Sequence, residues 1–180
     1  MTSLIALFEA NAKEAAADVL RVGNSPERVR LAVQQAAAGA RPIVLGAGEF
    51  LPAGVLEKLR EIPGVIPEPT DEQLATAQVG VSGAFAGVAS SGSVCIAMGP
   101  PLAAAASLLM PLHIVILVAD RIVERPREVL DASRLGGEGL SRNLVFVTGP
   151  SATADMGPLV RGVHGPHRLQ ILLLSDGHGR

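Results

Sequence analysis

The chain has 180 residues, 48% of them hydrophobic and 18% charged, with a formal net charge of -2. That is the composition of one ordinary globular domain, residues 1–180, and it excludes a disordered polyelectrolyte. There is no basic run, no Trp or Tyr and only four Phe, so neither an electrostatic footprint nor a stacking platform for nucleic acid exists.

The opening "MTSLIALFEANAKEAAA" lacks a basic start and is interrupted by Glu9, so it does not read as a signal peptide. It places Leu4, Leu7, Phe8 and Ala12 on one helical face. "ADVLRV" (17–22) then reads as a short strand. In "NSPERVRLAVQQAAAGARP", Ser25 is an N-cap, Pro26 suits the first helical position, and Gly39 marks the stop. "RPIVLG" (41–46) is a buried strand, and "AGVLEKLRE" a short helix. Strand–helix–strand–helix implies a parallel sheet covered by helices.

The middle of the chain carries "VGVSGAFAGVASSGSV" (79–94), sixteen residues with no ionisable side chain and only Phe85 of any size. Close by, Cys95 stands alone in the sequence, which rules out an internal disulfide and a four-cysteine cluster. It reads as a small buried hydrophobe. The last third repeats the α/β grammar. "HIVILVA" (113–119) reads as a central parallel strand, "RPREVLDASR" as a short helix, and "NLVFVTG" (143–149) as another buried strand. "PSATADMGPLVRG" is expected to be a helical crossover broken by Pro158, and "LQILLL" (169–174) closes the sheet before a polar tail, 175–180. The expected fold class is α/β, an open, mostly parallel sheet of six or seven strands with helices on both faces. No apolar run is long enough to span a bilayer, so the expectation is a cytoplasmic protein.

Three stretches could carry chemistry. "VLGAGEFLPAG" begins like a dinucleotide fingerprint with Gly46 and Gly48, but the third glycine position is Leu51; a plain tight turn uses the same glycines. In "VTGPSATAD", Gly149 permits a turn, and Ser151 and Thr153 offer hydroxyls beside the free N–H groups of an expected helix start. Such a place seats an anion, or Ser151 merely caps the helix; Asp155 suits both readings. In "RGVHGP", His164 is presented on a turn made by Gly165 and Pro166, where it either meets a substrate carboxylate or bonds its own loop. His113 reads as a core residue. Asp120 either binds a ligand hydroxyl or pairs with Arg121 or Arg125. No spacing of His, Cys or carboxylates suggests a metal site, and none suggests acyl hydrolysis.

Taken in order, "SLLMPLHIVILVADRIV", "TGPSATAD" and "GVHGP" before a final apolar strand resemble the LUD (lactate-utilisation) domain family, in particular its protein C branch. The resemblance runs from about Leu4 to Leu174. It implies a sheet related to the CoA-transferase and sugar-phosphate-isomerase architecture. It also implies work beside partner proteins, at least one carrying iron–sulfur clusters, in oxidising L-lactate to pyruvate. Against the family's pattern, an Asp position holds Phe85, a Glu position holds Ser90, and a third acid position holds Gly157. Two readings follow. One is a non-catalytic or regulatory subunit with no cofactor of its own, binding a small anionic metabolite at Gly149, Ser151, Thr153, Asp155, His164, Gly165 and Asp120. The other is a free-standing enzyme of the CoA-transferase or isomerase type, with His164 and Asp120 or Asp155 as acid and base. A plain nucleotide binder is a third.

Overall fold

The computed structural model describes residues 3–46, 48–99, 101–131, 143–154 and 157–175. The chain begins with α1 (Leu4–Glu14), whose N-cap Ser3 hydroxyl accepts the Ala6 N–H at 3.2 Å. β1 (Asp18–Gly23) follows, then α2 (Pro26–Ala37) with Ser25 as its cap and Pro26 in its first turn. Next come β2 (Ile43–Leu45), α3 (Val55–Arg60), β3 (Val65–Ile66), and α4 (Asp71–Thr76), opened by a Thr70–Gln73 capping box. The glycine-rich middle forms β4 (Val79–Gly83), β5 (Ala86–Val88) and β6 (Ser93–Ala97). Then follow α5 (Pro101–Leu108), β7 (Leu112–Val118), β8 (Ile122–Val123), α6 (Pro126–Val129) and β9 (Leu144–Val147). A hairpin of β10 (Ala152–Thr153) and β11 (Val160–Arg161) leads to the last strand, β12 (Arg168–Ser175).

Six strands form one parallel sheet in the order β1-β12-β7-β4-β2-β3. Its strands read as continuous apolar runs because both faces are covered. Ile43, Val81, Ile114, Ile116, Leu172 and Leu174 face α2 and α3, meeting Val29, Val33 and Leu59. Val115, Leu117, Ile171 and Leu173 face the other way, onto Phe8 and Ala12 of α1 and onto Val94 and Ile96 of β6. Each such Ile or Leu contributes on the order of 2 kcal/mol by leaving water. α5 completes this second layer, with Ala106 and Met110 over Val44.

β6 belongs to a second sheet, in the order β8-β5-β6-β9, that the sequence reading did not anticipate. Val129 of α6 packs on its outer side with Ala86, Val88, Cys95 and Val123. Burial pushes the Cys95 thiol pKa up to about 11, as expected of a core residue. The strand expected at 143–149 therefore sits elsewhere than in the main sheet. β12 pairs directly with β7, Gln170 opposite Ile114, which leaves no slot between them. The apolar run pairs instead with β6, antiparallel, as the edge of the small sheet.

The glycine-rich stretch has a packing explanation. A Cβ on Gly80 would fall on the Ala106 carbonyl of α5. Gly92, at φ 65°, would drive a Cβ into the backbone of Ala12 in α1. Both helices rest on these strands at backbone distance, so side chains are excluded. Gly80→Ala is expected to cost about 2 kcal/mol or more and to lower Tm by roughly 4–8 °C, read by thermal unfolding. An unchanged Tm would refute the close packing of α5.

His113 is fully buried, as its place in an apolar run suggests. Its Nε2 lies 2.7 Å from the Ser82 hydroxyl, while Nδ1 has no partner among the described residues. Desolvation lowers its pKa to about 3. Below about pH 6.5 the unfolded chain takes a proton here that the folded chain refuses, so stability falls with pH. The loss from this group approaches 1.4 kcal/mol per pH unit, roughly, between pH 6.5 and 3. His113→Gln keeps a nitrogen near Ser82 and removes the titration. Its unfolding free energy is expected to fall less steeply than wild type between about pH 6.5 and 4.5. Parallel slopes would sink the assignment.

Candidate functional site

A cleft of about 450 Å³ opens between β9 and the loop that enters β12. One wall is Val145, Phe146, Val147 and Thr148, continuing through Gly149, Pro150, Ser151 and Ala152. The other is His164, Gly165 and Pro166, with Ser107 and Leu108 from the end of α5 and Leu169 on β12. The walls are stitched by backbone hydrogen bonds. Ser151 N–H donates to the Pro166 carbonyl at 2.9 Å, and Gly162 N–H donates to the Ser151 carbonyl at 2.8 Å. His167 and Arg168 N–H both reach the Pro111 carbonyl, which anchors the loop ahead of β7. A second opening of about 470 Å³ runs past His164 between Leu108, Leu109, Val163 and His167.

The two segments singled out in the sequence thus share one cleft. The local structure differs from the expected one. No helix starts at Ser151; the segment enters the β10–β11 hairpin, Thr153 opposite Val160. The reason lies in the backbone. Gly149, Gly157 and Gly162 have φ of 73°, 139° and 78°, and Pro158 stands between the last two. Such residues make turns and interrupt the helical run. Without a helix start the expected cradle of amides is absent, and the Ser151 amide is already used by Pro166.

What remains is side-chain chemistry. The Ser151 hydroxyl and the His164 imidazole carry no hydrogen bond among the described residues, and His164 is exposed. Gly165 lets the loop lie against Ser151, where a Cβ would sit 3.1 Å from the Ser151 Cβ. Among the described residues the lining holds no Lys, Arg, Asp or Glu. Thr148 adds a hydroxyl that the sequence reading missed. It is 2.6 Å from Ser93, itself 2.7 Å from Ser91, in a chain of three hydroxyls. The register Val94 opposite Val147 brings Ser93 beside Thr148, and only the strand pairing reveals it.

Among the described residues the other candidates offer the cleft no polar side chain. Gly149 is buried and serves packing, since a Cβ there would strike the Ala15 carbonyl. Thr153 is one step beyond the cleft on β10, and Asp155 lies outside the described residues. Asp120 follows the carboxyl end of β7, whereas His164 precedes the amino end of the parallel β12. A seven-residue strand separates those ends by roughly 20 Å. Asp120 is exposed and pairs with neither Arg121 nor Arg125 among the described residues. Arg121 donates instead to the Phe50 and Ala84 carbonyls, at 2.6 and 3.2 Å, and lies 5.8 Å from the centre of the Phe50 ring. Desolvation lowers its pKa.

Phe85, at the first of the substituted acid positions, packs edge-on against Phe50 with centroids 5.4 Å apart. Ser90 is exposed, its N–H held by the Glu124 carbonyl. After β2 the chain makes a single 3-10 turn, and α3 starts only at Val55, so the glycines there do not open a helix as a dinucleotide fingerprint requires. Among the described residues no three His, Cys, Asp or Glu side chains gather as a metal site would need, and no helix is long and apolar enough to cross a membrane.

Comparison with known proteins adds the lineage. A crystal structure of a DUF162 family protein from Deinococcus radiodurans superposes with a TM-score of 0.68 over 96% of each chain, at 21% identity, and so shares the fold. Lactate utilization protein C of the same organism is 30% identical over 148 residues, 80% of this chain and 68% of that one. The Bacillus subtilis protein of that name is 33% identical over 104 residues, 56% of this chain and 43% of its own. An uncharacterized protein of Neisseria meningitidis serogroup B is 30% identical over 100 residues, 55% of this chain. Across these relatives the matched segment spans between 43% and 68% of their own length. The profile of the LUD domain matches residues 5–174, nearly end to end, and the chain belongs to the LUD domain family.

Proposed function

We propose that this chain is a non-catalytic binding subunit of a lactate-oxidising system, and that its cleft takes a small carboxylate such as lactate or pyruvate. The name shared by two of the relatives above, lactate utilization protein C, supports the metabolic setting. The observation that carries the ligand reading is the pair of free polar groups, Ser151 Oγ and the His164 imidazole, in one otherwise uncharged cleft. A carboxylate accepts from a hydroxyl and an imidazole N–H together, and its short carbon chain rests on Leu108, Val147 and Pro166.

The non-catalytic part rests on what the lining lacks. Ser151 has no base bonded to it, so it is not an activated nucleophile. Among the described residues no carboxylate is available as a general base on either wall. Phe85 and Ser90, which replace acids, lie outside the cleft. One cysteine cannot supply a four-cysteine cluster, so the proposal gives electron transfer to iron–sulfur partner proteins.

Calorimetric titration of the purified chain tests the reading. Lactate or pyruvate is expected to bind, and Ser151→Ala or His164→Ala to weaken that binding about tenfold each, the loss of one charge-assisted hydrogen bond. Phosphate serves as the competing anion. No binding of either carboxylate at millimolar concentration overturns the ligand; dye-linked oxidation of lactate by the isolated chain overturns the non-catalytic role.

A further inference from the structure

Among the described residues β9 is an edge strand of the small sheet, paired on one side only. In an antiparallel ladder, alternate residues turn both backbone groups toward the neighbouring strand. Met98 N–H donates to the Asn143 carbonyl at 2.7 Å, and Val145 and Val147 lie opposite Ile96 and Val94, so the odd-numbered residues serve β6. The N–H and C=O of Leu144 and Phe146 therefore point away from the sheet, and among the described residues nothing receives them.

Edges of this kind are normally blunted by a charge, a proline or a bulge. Leu-Val-Phe-Val has none of these. Six of the large hydrophobic side chains that stay exposed line or flank the adjoining cleft: Leu108, Leu109, Phe146, Leu159, Val160 and Val163, between 37% and 66% exposed. Summed, their exposed surface is on the order of 500 Å², the size of the largest apolar patch on an ordinary monomer, often a functional one, and a large part of the roughly 800 Å² per protomer of a stable interface.

We propose that β9 pairs with β9 of a second copy of this chain, antiparallel across a two-fold axis, joining two four-stranded sheets into one of eight strands. A two-fold axis sets each side chain near its own counterpart, so a charged edge would repel itself. Among the described residues β9 and the walls of the cleft carry no Lys, Arg, Asp or Glu, which removes that penalty. The outward donors and acceptors of Leu144 and Phe146 are each other's complement in such a pair. The second opening, past Leu109 and His167, is lined by no residue of β9 and reaches His164. This pairing goes beyond the ligand reading above and does not rest on it.

Sedimentation equilibrium tests it. Wild type at about 50 µM, within the range of ordinary protein association, is expected to show twice the 18.5 kDa chain mass. Phe146→Pro removes an outward N–H that β6 does not use, so the fold tolerates it and the dimer is lost. Phe146→Lys, on an exposed side chain, is expected to weaken dimerisation about tenfold or more, and it decides the matter if the proline variant does not fold. A monomeric wild type at that concentration overturns the proposal, as does a dimer that survives both substitutions with an unchanged circular dichroism spectrum. Ser151→Ala is expected to stay dimeric. A dimer that binds no carboxylate supports the strand pairing while refuting the ligand.

Discussion

The architecture depends on backbone lying against backbone. α5 sits on β4 because Gly80 has no side chain to hold Ala106 away, and α1 sits on the β5–β6 turn because Gly92 leaves room for Ala12. Gly149 repeats the arrangement against the Ala15 carbonyl at the far end of α1. With these three contacts α1, α5 and the small sheet form one thin layer on the main sheet. An alanine at any of them would open a gap that the apolar core could not close without moving a helix.

That thin layer makes the cleft. The end of α5 brings Ser107 and Leu108 to the amino ends of β7 and β12, and the turn at Gly149 carries the chain from β9 toward the loop before β12. Ligands in open parallel sheets commonly sit beyond the carboxyl ends of the strands. Here the carboxyl end of β4 is closed by Phe85 on Phe50, with Arg121 occupied by two backbone carbonyls. Free polar side chains and open volume coincide instead at the opposite end, where the lining has no fixed charge.

Much of this was legible in the sequence. The runs at β7 and β12, the Ser25–Pro26 start of α2 and the burial of His113 all follow from period and punctuation. The small sheet was not legible, because β5 and β8 are only three and two residues long and its strands pair with partners remote in sequence. The hairpin was misread as a helix because glycines and Pro158 in "GPSATADMGPLVRG" punctuate either structure, and only their positive φ distinguishes them. The same misreading supplied amide donors that the folded chain spends on Pro166. Ser151 and His164 could be associated through the order of motifs, whereas Thr148 and Ser107 join the cleft through strand register and helix placement that no local pattern encodes.

Cys95 shows what burial does for chemical durability. A thiol with a pKa of about 11 is thiolate in only about one molecule in ten thousand at neutral pH. Peroxides and alkylating agents attack that minority form, and here it is also shielded beneath α6. The protein would keep its one sulfhydryl reduced for as long as it stays folded. Oxidation at this position would then record earlier unfolding, and a thiol-reactive dye applied to a cell extract would mark the damaged fraction of molecules and pass over the intact ones.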